Sequence, residues 1–162
     1  MKNPILAVCR WYALRKNRST VPTKLLPLRQ VRSATVFVDT TVEGEDSARI
    51  SRAARQFFDY HGVPVQVICP RKEDVNLIGI LKPQVRGSKE NPRQEDLFIS
   101  LAGSPENFAA EYEARCSTAR FKVGRFPLPG GVFDLVVETP ESSEAGQAAA
   151  FAAIKDYLAK IR

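Results

Sequence analysis

The stretch DLFISLAGSPENFAAEYEARCSTARFKVG, from Asp96 to Gly124, predicts a strand, a helix and a second strand. It opens with the apolar run Asp96–Leu101, which Gly103 ends, and Ala119–Val123 supplies the second strand. Between them stand an N-cap residue, a proline suited to the first helical position and a first-turn carboxylate: Ser104, Pro105 and Glu106. A strand–helix–strand unit of this size is typical of an α/β sheet.

The same unit occurs earlier in the chain. Ala34–Asp39 and Val63–Cys69 are rich in β-branched residues and predict two strands. From about Asp46 to His61, apolar residues recur at helical spacing, and Gly62 follows as the expected C-terminal cap. We therefore expect the first two strands to be parallel, joined by a right-handed crossover.

The remaining segments complete an alternating pattern. Leu77–Leu81 predicts a short strand, and residues 82–95, rich in proline, glycine and charge, predict a long exposed loop. Phe133–Glu138 predicts a fifth strand, and Ser142–Ile161 predicts a long final helix with an alanine-rich middle. The expected fold class is α/β, in three layers: a mostly parallel, Rossmann-like or flavodoxin-like sheet of about five strands with helices on both faces.

Positive charge is concentrated at the beginning of the chain. The net charge is +6, yet the residues after position 33 carry 16 basic and 18 acidic side chains, a net charge of −2. The sequence thus predicts a basic N-terminal arm over 1–33, with a short helix and a linker, and a single α/β domain over 34–162. The arm has no acidic residue and eight basic ones: Lys2, Arg10, Arg15, Lys16, Arg18, Lys24, Arg29 and Arg32.

The arm is the first candidate binding element. In a helix over residues 5–16, four apolar residues fall on one stripe: Ile5, Val8, Cys9 and Tyr12. Such a helix could bind an acidic surface, either RNA, anionic lipid or an acidic protein. The alternative is an arm packed on the protein's own surface with its charges in solvent. The candidate partner-binding residues are Arg10, Arg15, Lys16 and Arg18.

A cleft in the sheet is the second candidate site. Ligands of open parallel sheets bind beyond the carboxyl ends of the strands, where the strand order reverses. If the Ala34 and Asp96 strands are neighbours there, free backbone N–H groups and a helix N-terminus could hold a phosphate or carboxylate. Alternatively, Ser104 only caps its helix and the threonines close a turn. The candidate anion-binding residues are Asp39, Thr40, Thr41, Gly103 and Ser104.

Motifs for other chemistry are missing from the sequence. It has no GxxxxGK[ST], GxGxxG or GxSxG motif, and its three cysteines, Cys9, Cys69 and Cys116, are far apart. His61, the single histidine, is expected at a helix terminus and not as a catalytic base. We therefore predict no metal and no cofactor, and assign no catalytic residue. A reducing compartment and no signal peptide are expected, which favours a cytoplasmic protein.

Two resemblances extend these predictions. The segments VRSATVFVDT, DLFISLAGSPENFAAEYEARCSTARFKVGRF, FDLVVETPES and AAIKDYLAKIR together resemble a family of small Bacteroidetes proteins that has no assigned activity. That resemblance covers most of the chain from about Val31 and implies one compact domain. DLFISLAG, a helix and ARFKVGRF are also similar to the acceptor-side half of heptosyltransferase-like glycosyltransferases. This second resemblance implies a Rossmann-like sheet, although the chain lacks their glycine-rich loop after the first strand and their second domain.

Three functions follow as hypotheses. The first is a non-enzymatic binding or adaptor module that uses the basic arm. The alternative is a transferase or hydrolase that acts on a phosphorylated or sugar ligand in the cleft. The third is self-association as a homodimer through exposed sheet edges, at Val63–Cys69 and the fifth strand.

Overall fold

The computed structural model describes residues 3–42, 44–86, 94–137 and 146–161. The helices are α1 (Pro4–Asn17), α2 (Ser47–Tyr60), α3 (Pro83–Arg86), α4 (Phe108–Cys116) and α5 (Gln147–Lys160). The strands are β1 (Ala34–Phe37), β2 (Val65–Ile68), β3 (Leu97–Ser100), β4 (Phe121–Gly124) and β5 (Leu135–Val136). Two short 3₁₀ turns, Leu28–Gln30 and Lys72–Asp74, complete the described elements.

The five strands form one parallel sheet in the order β2-β1-β3-β4-β5. This is the strand order of flavodoxin-like folds, and it confirms the predicted fold class. Val36 in β1 stands opposite Val67 in β2 and Ile99 in β3. The chain first adds β2 on one side of β1 and then continues with β3 on the other side. The strand order therefore reverses between β1 and β3.

Each face of the sheet buries its own apolar core. On one face, α2 and α5 pack against alternate residues of the central strands, among them Val36, Ile99 and Val123. On the other face, α4 packs on Phe37 and Phe98. Strands buried on both sides carry continuous apolar runs because every side chain meets a helix layer. Helices on both faces of the sheet were predicted. Because they cover the faces, the ends of the strands are the places where a binding site can lie.

Two local predictions are wrong. Helix α4 begins at Phe108, and its N-cap is Asn107, whose side-chain oxygen accepts the Ala110 N–H at 3.1 Å. Ser104, the predicted cap, lies outside the helix. Leu77–Leu81 forms no strand, because a turn leaves only an isolated antiparallel bridge between Val75 and Leu81.

Other boundaries also differ from the prediction. The short helix α3 stands at the start of the segment predicted to be a loop, and residues 87–93 of that loop lie outside the described residues. The end of the predicted fifth strand and the start of the predicted last helix fall in 138–145, which the described residues also exclude. The helix predicted over Asp46–His61 is α2, with Asp46 as N-cap, His61 as C-cap and Gly62 at φ +70°.

The arm continues from α1 as an extended strap along the α4–β4 connection. The N–H of Ser19 donates to the Arg115 carbonyl and the N–H of Lys24 to the Arg120 carbonyl, each at 2.8 Å. Further along, Leu26 and Val31 are buried in the core under α2 and α5. These contacts hold the strap on the body and set the position of α1 over α4.

Candidate functional site

The carboxyl ends of β1 and β3 lie side by side, as predicted for the place where the strand order reverses. The loops after these strands bring Asp39, Thr41 and Gly103 together. The Asp39 carboxylate accepts the N–H of Gly103 at 2.9 Å and, through its other oxygen, the N–H of Thr41 at 2.9 Å. The Thr41 hydroxyl donates to the same carboxylate. Three of the five predicted cleft residues therefore form one contact group.

The Asp39 carboxylate occupies the place expected for a bound anion. Burial would raise the pKa of Asp39, but hydrogen bonds from the Thr41 hydroxyl, the Gly103 and Thr41 N–H groups and the Asn107 side chain lower it below its ordinary value. The side chain is thus a buried, stably ionised acceptor. The backbone N–H of Gly103, which the sequence offered to a ligand, is already satisfied by the protein itself.

Gln147 and Glu45 join this network, and sequence reasoning identified neither. The Gln147 side-chain amide accepts the Asp39 N–H and donates to the Asp39 carbonyl, both at 2.8 Å. The same amide donates to the Glu45 carboxylate at 2.7 Å, and the Gln147 backbone N–H donates to that carboxylate at 2.6 Å. Gly146 makes this approach feasible, since a Cβ there would lie 2.0 Å from Glu45. The network joins the start of α5 to the end of β1.

Arg125 brings a positive charge to the same region. Its guanidinium is buried and donates to the Leu101 carbonyl at 3.3 Å. The pKa of Arg125 is lowered, because the effect of burial outweighs the opposite effect of the Glu45 and Asp39 carboxylates. Two carboxylates and one guanidinium leave a net negative charge, which disfavours a phosphate at this position. A cavity beside Arg125 and Ser104 has a volume of about 20 Å³, enough for about one water molecule.

The other two predicted cleft residues make local contacts. The Thr40 hydroxyl donates to the Pro70 carbonyl. The Ser104 hydroxyl accepts the N–H of Glu106 at 3.1 Å, two residues along the chain. The geometry therefore favours a structural role for this part of the sheet, and anion binding by the five residues stays a prediction.

Helix α1 presents a different kind of surface. Its body-facing side consists of partly buried residues at helical spacing: Leu6, Arg10, Ala13 and Leu14. Its opposite side exposes four large apolar residues to solvent: Ile5 (73% exposed), Val8 (64%), Trp11 (57%) and Tyr12 (61%). Cys9 is also exposed. The apolar stripe predicted from the sequence thus faces away from the protein, and a polar arginine faces inward.

The four predicted partner-binding residues divide into two sets. Arg10 is committed to the body, because its Nε donates to the Ile78 carbonyl at 2.8 Å and its guanidinium lies over the Phe108 ring. Arg15, Lys16 and Arg18 are exposed. The sequence signal that could have identified Trp11 is the tryptophan itself, the only one in the chain, placed between the apolar stripe and the basic end.

Comparisons of the chain with protein-family models, curated protein sequences and solved structures give no match. The two resemblances therefore stay predictions. Among the residues that the structure describes, no group of three or more His, Cys, Asp or Glu side chains is placed to hold a metal ion. None of the described helices is long and apolar enough to cross a lipid bilayer.

Proposed function

We propose that this protein is a non-enzymatic binding or adaptor module that docks on an anionic lipid surface through α1. The observation that carries the proposal is the outward apolar side of α1, formed by Ile5, Val8, Trp11 and Tyr12. Folding normally buries such a stripe, and large exposed apolar patches mark interaction surfaces. The docked helix would then hold the flavodoxin-like domain at the membrane surface.

The chemistry of this helix favours lipid over the other acidic surfaces. Ile5 and Val8 are aliphatic and gain little from RNA, whose recognition depends on phosphate charge and base stacking. Trp11 and Tyr12 combine an apolar ring with a polar group, the combination enriched where hydrocarbon meets water. An acidic protein groove would need a defined shape, whereas a bilayer has no fixed shape and can accept exposed apolar side chains with basic residues beside them.

Charge supports the same orientation. Arg15, Lys16 and Arg18 are exposed around the carboxyl-terminal end of α1. Each basic residue near an anionic bilayer contributes about 1 kcal/mol to binding, and the cytoplasmic leaflet carries such lipids. In this proposal the protein acts at the cytoplasmic face of a membrane. Apolar insertion and charge are both needed, since neither alone gives firm attachment.

Vesicle co-sedimentation tests the proposal. We expect the protein to sediment with phosphatidylcholine vesicles that contain about 30% phosphatidylserine, and not with pure phosphatidylcholine. The triple variant Ile5→Ser, Val8→Ser, Tyr12→Ser should lose binding. Its matched control is Tyr60→Ser, Leu77→Ser, which removes side chains exposed at 86% and 100% elsewhere on the surface and should bind as the wild type does.

A charge series completes the test. Arg15→Ala, Lys16→Ala should weaken binding to the anionic vesicles, whereas Arg49→Ala, Lys160→Ala, at exposed positions of α2 and α5, should leave it unchanged. The proposal fails if wild-type protein stays in the supernatant at low salt. It also fails if a single-stranded RNA or polyglutamate binds more tightly than the vesicles and that binding is insensitive to the apolar triple variant.

A further inference from the structure

A second candidate docking surface lies along β2. Among the described strands, β2 is at the edge of the sheet and has β1 as its one neighbour. Beside its carboxyl-terminal part lies an open groove of about 890 Å³, lined by Gln66, Val67 and Ile68 of this strand. One wall is the α2 surface at Ser51, Arg52 and Arg55, and the other includes Arg71 and Val85.

The register shows which backbone groups of β2 point away from β1. Val36 of β1 is the partner of Val67, and Ala34 is the partner of Val65. The N–H of Ala34 donates to the Pro64 carbonyl, and the N–H of Val38 donates to the Ile68 carbonyl. Residues 64, 66 and 68 therefore pair with β1, because alternate residues of a strand point to opposite neighbours.

The alternate residues Val65 and Val67 direct their N–H and C=O groups away from β1. Within the described part of the chain, no strand or loop forms a backbone hydrogen bond with these groups. Their side chains pack under α2 and keep the strand in place. Edge groups without a partner strand are a template for one more strand.

The charged side chains that line the groove indicate which kind of peptide strand it would bind. Arg52 and Arg55 are exposed on α2, three residues apart, and so project from the same side of that helix. Arg71 lies on the opposite wall, where it pairs with Glu73 and with Asp74, a carboxylate that also lines the groove. Carboxylates on alternate residues of an extended peptide would point to the α2 wall and meet two guanidinium groups.

We propose that the groove binds an acidic peptide in extended conformation, which adds to the sheet as a sixth strand beside β2. Backbone hydrogen bonds to Val65 and Val67 hold the peptide, and Arg52 and Arg55 select carboxylates. No residue of α1 lines this groove. It gives the protein a second attachment point, as an adaptor requires.

Binding of a labelled peptide, Glu-Val-Glu-Val-Glu-Val, to the full chain tests the charge requirement. The double variant Arg52→Glu, Arg55→Glu should weaken binding by at least about tenfold, because it places like charges against the peptide. Arg49→Glu is the matched control: it makes the same change on α2 outside the groove and should change the dissociation constant by less than about twofold. The neutral peptide Gln-Val-Gln-Val-Gln-Val should bind more weakly than the acidic one.

The backbone requirement has its own variant. Val67→Pro removes the N–H that points into the groove and leaves the pairs to β1 intact, a substitution that edge strands tolerate. It should weaken binding, while Val67→Ile should not. As a measurement that needs no variant, the amides of Val65 and Val67 should shift in NMR spectra on peptide addition and gain protection from hydrogen exchange.

Three outcomes would overturn the proposal. One is unchanged Val65 and Val67 amides at saturating peptide. Another is equal affinity for the acidic and neutral peptides. The last is a concentration-dependent dimer that Val67→Pro abolishes and the peptide does not compete with, since the edge would then bind a second copy of this chain.

Discussion

The Arg10 guanidinium lies over the ring of Phe108, with Cζ 4.4 Å from the ring centroid, and its Nε donates to the Ile78 carbonyl at 2.8 Å. These two contacts determine which side of α1 meets the body. A helix that buried its apolar stripe would direct Ile5 and Val8 toward α4. Here the arginine takes that place, and the stripe remains available to a partner.

Arg10→Ala should release α1 from the body. The stacking and the charge-assisted hydrogen bond together contribute about 2 kcal/mol, so amide protection in residues 4–17 should fall about 30-fold in hydrogen exchange. Arg15→Ala is the control, because the Arg15 guanidinium lies over Trp11 within the same helix and does not join it to the body. Equal protection in wild type and Arg10→Ala would show that the strap alone positions the helix.

Asp39→Asn should destabilise the fold in a pH-dependent way. Both carboxylate oxygens accept N–H groups, so an amide nitrogen at either position meets a donor, and we expect a loss of about 2 kcal/mol at neutral pH. The lowered pKa of Asp39 in the folded state means that its contribution is present above the unfolded pKa of about 3.9 and is lost as the pH falls through the folded pKa.

Urea unfolding of wild type and Asp39→Asn across a pH series measures this contribution. The stability difference between the two proteins should be largest at neutral pH and should shrink below about pH 4. A difference that stays constant across the series would mean that the Asp39 charge does not stabilise the loop after β1.

Gln147→Met should show how strongly α5 is joined to β1. Methionine keeps a similar volume but leaves the Asp39 N–H and carbonyl without their partners, which costs about 3 kcal/mol in the free energy of unfolding. Gln56→Met, at an exposed position of α2, should change stability by less than about 0.5 kcal/mol. If both variants unfold at the same denaturant concentration, the hydrogen bonds of Gln147 do not stabilise the packing of α5 against the end of β1.

Gly124→Ala should be destabilising because no space exists for a side chain at the end of β4. A Cβ on Gly124 would lie between 2.5 and 2.7 Å from three atoms of the Phe133 ring. Overpacking of this kind costs about 1–3 kcal/mol. The double variant Gly124→Ala, Phe133→Leu should be less destabilised than the sum of the two single changes, and thermal unfolding of the four proteins measures that difference. If the destabilisation by the two single changes is simply additive, a Cβ at position 124 does not press on the Phe133 ring.

The sheet could be predicted from the sequence because the patterns that indicate its strands and helices involve residues close together in the chain. Short apolar runs such as Leu97–Ser100 and the regular alternation with helices determine an α/β layer structure. The candidate cleft could be placed, since Asp39 and Gly103 follow neighbouring strands. Its occupation by the Asp39 carboxylate and by Gln147 could not be predicted, because those hydrogen bonds join residues 64 and 108 positions apart.

The orientation of α1 escaped prediction for a related reason. A helical stripe shows that Ile5, Val8 and Tyr12 share a side, but the stripe alone does not show whether that side meets the body. The answer depends on Arg10 and its contacts with Ile78 and Phe108, which are distant in sequence. The N-cap of α4 shows a smaller form of the same limit, since Ser104 and Asn107 are both suitable residues and the folded loop selects the second.

Fluorescence of Trp11, the only tryptophan, reports directly on whether α1 docks on an anionic bilayer. With vesicles that contain phosphatidylserine, the emission should shift to shorter wavelength and be quenched by brominated acyl chains, because the ring would enter the apolar boundary of the bilayer. The shift should be weaker at high salt and absent with pure phosphatidylcholine. An emission spectrum unchanged by anionic vesicles at low salt, with no quenching by brominated lipid, would contradict docking through α1.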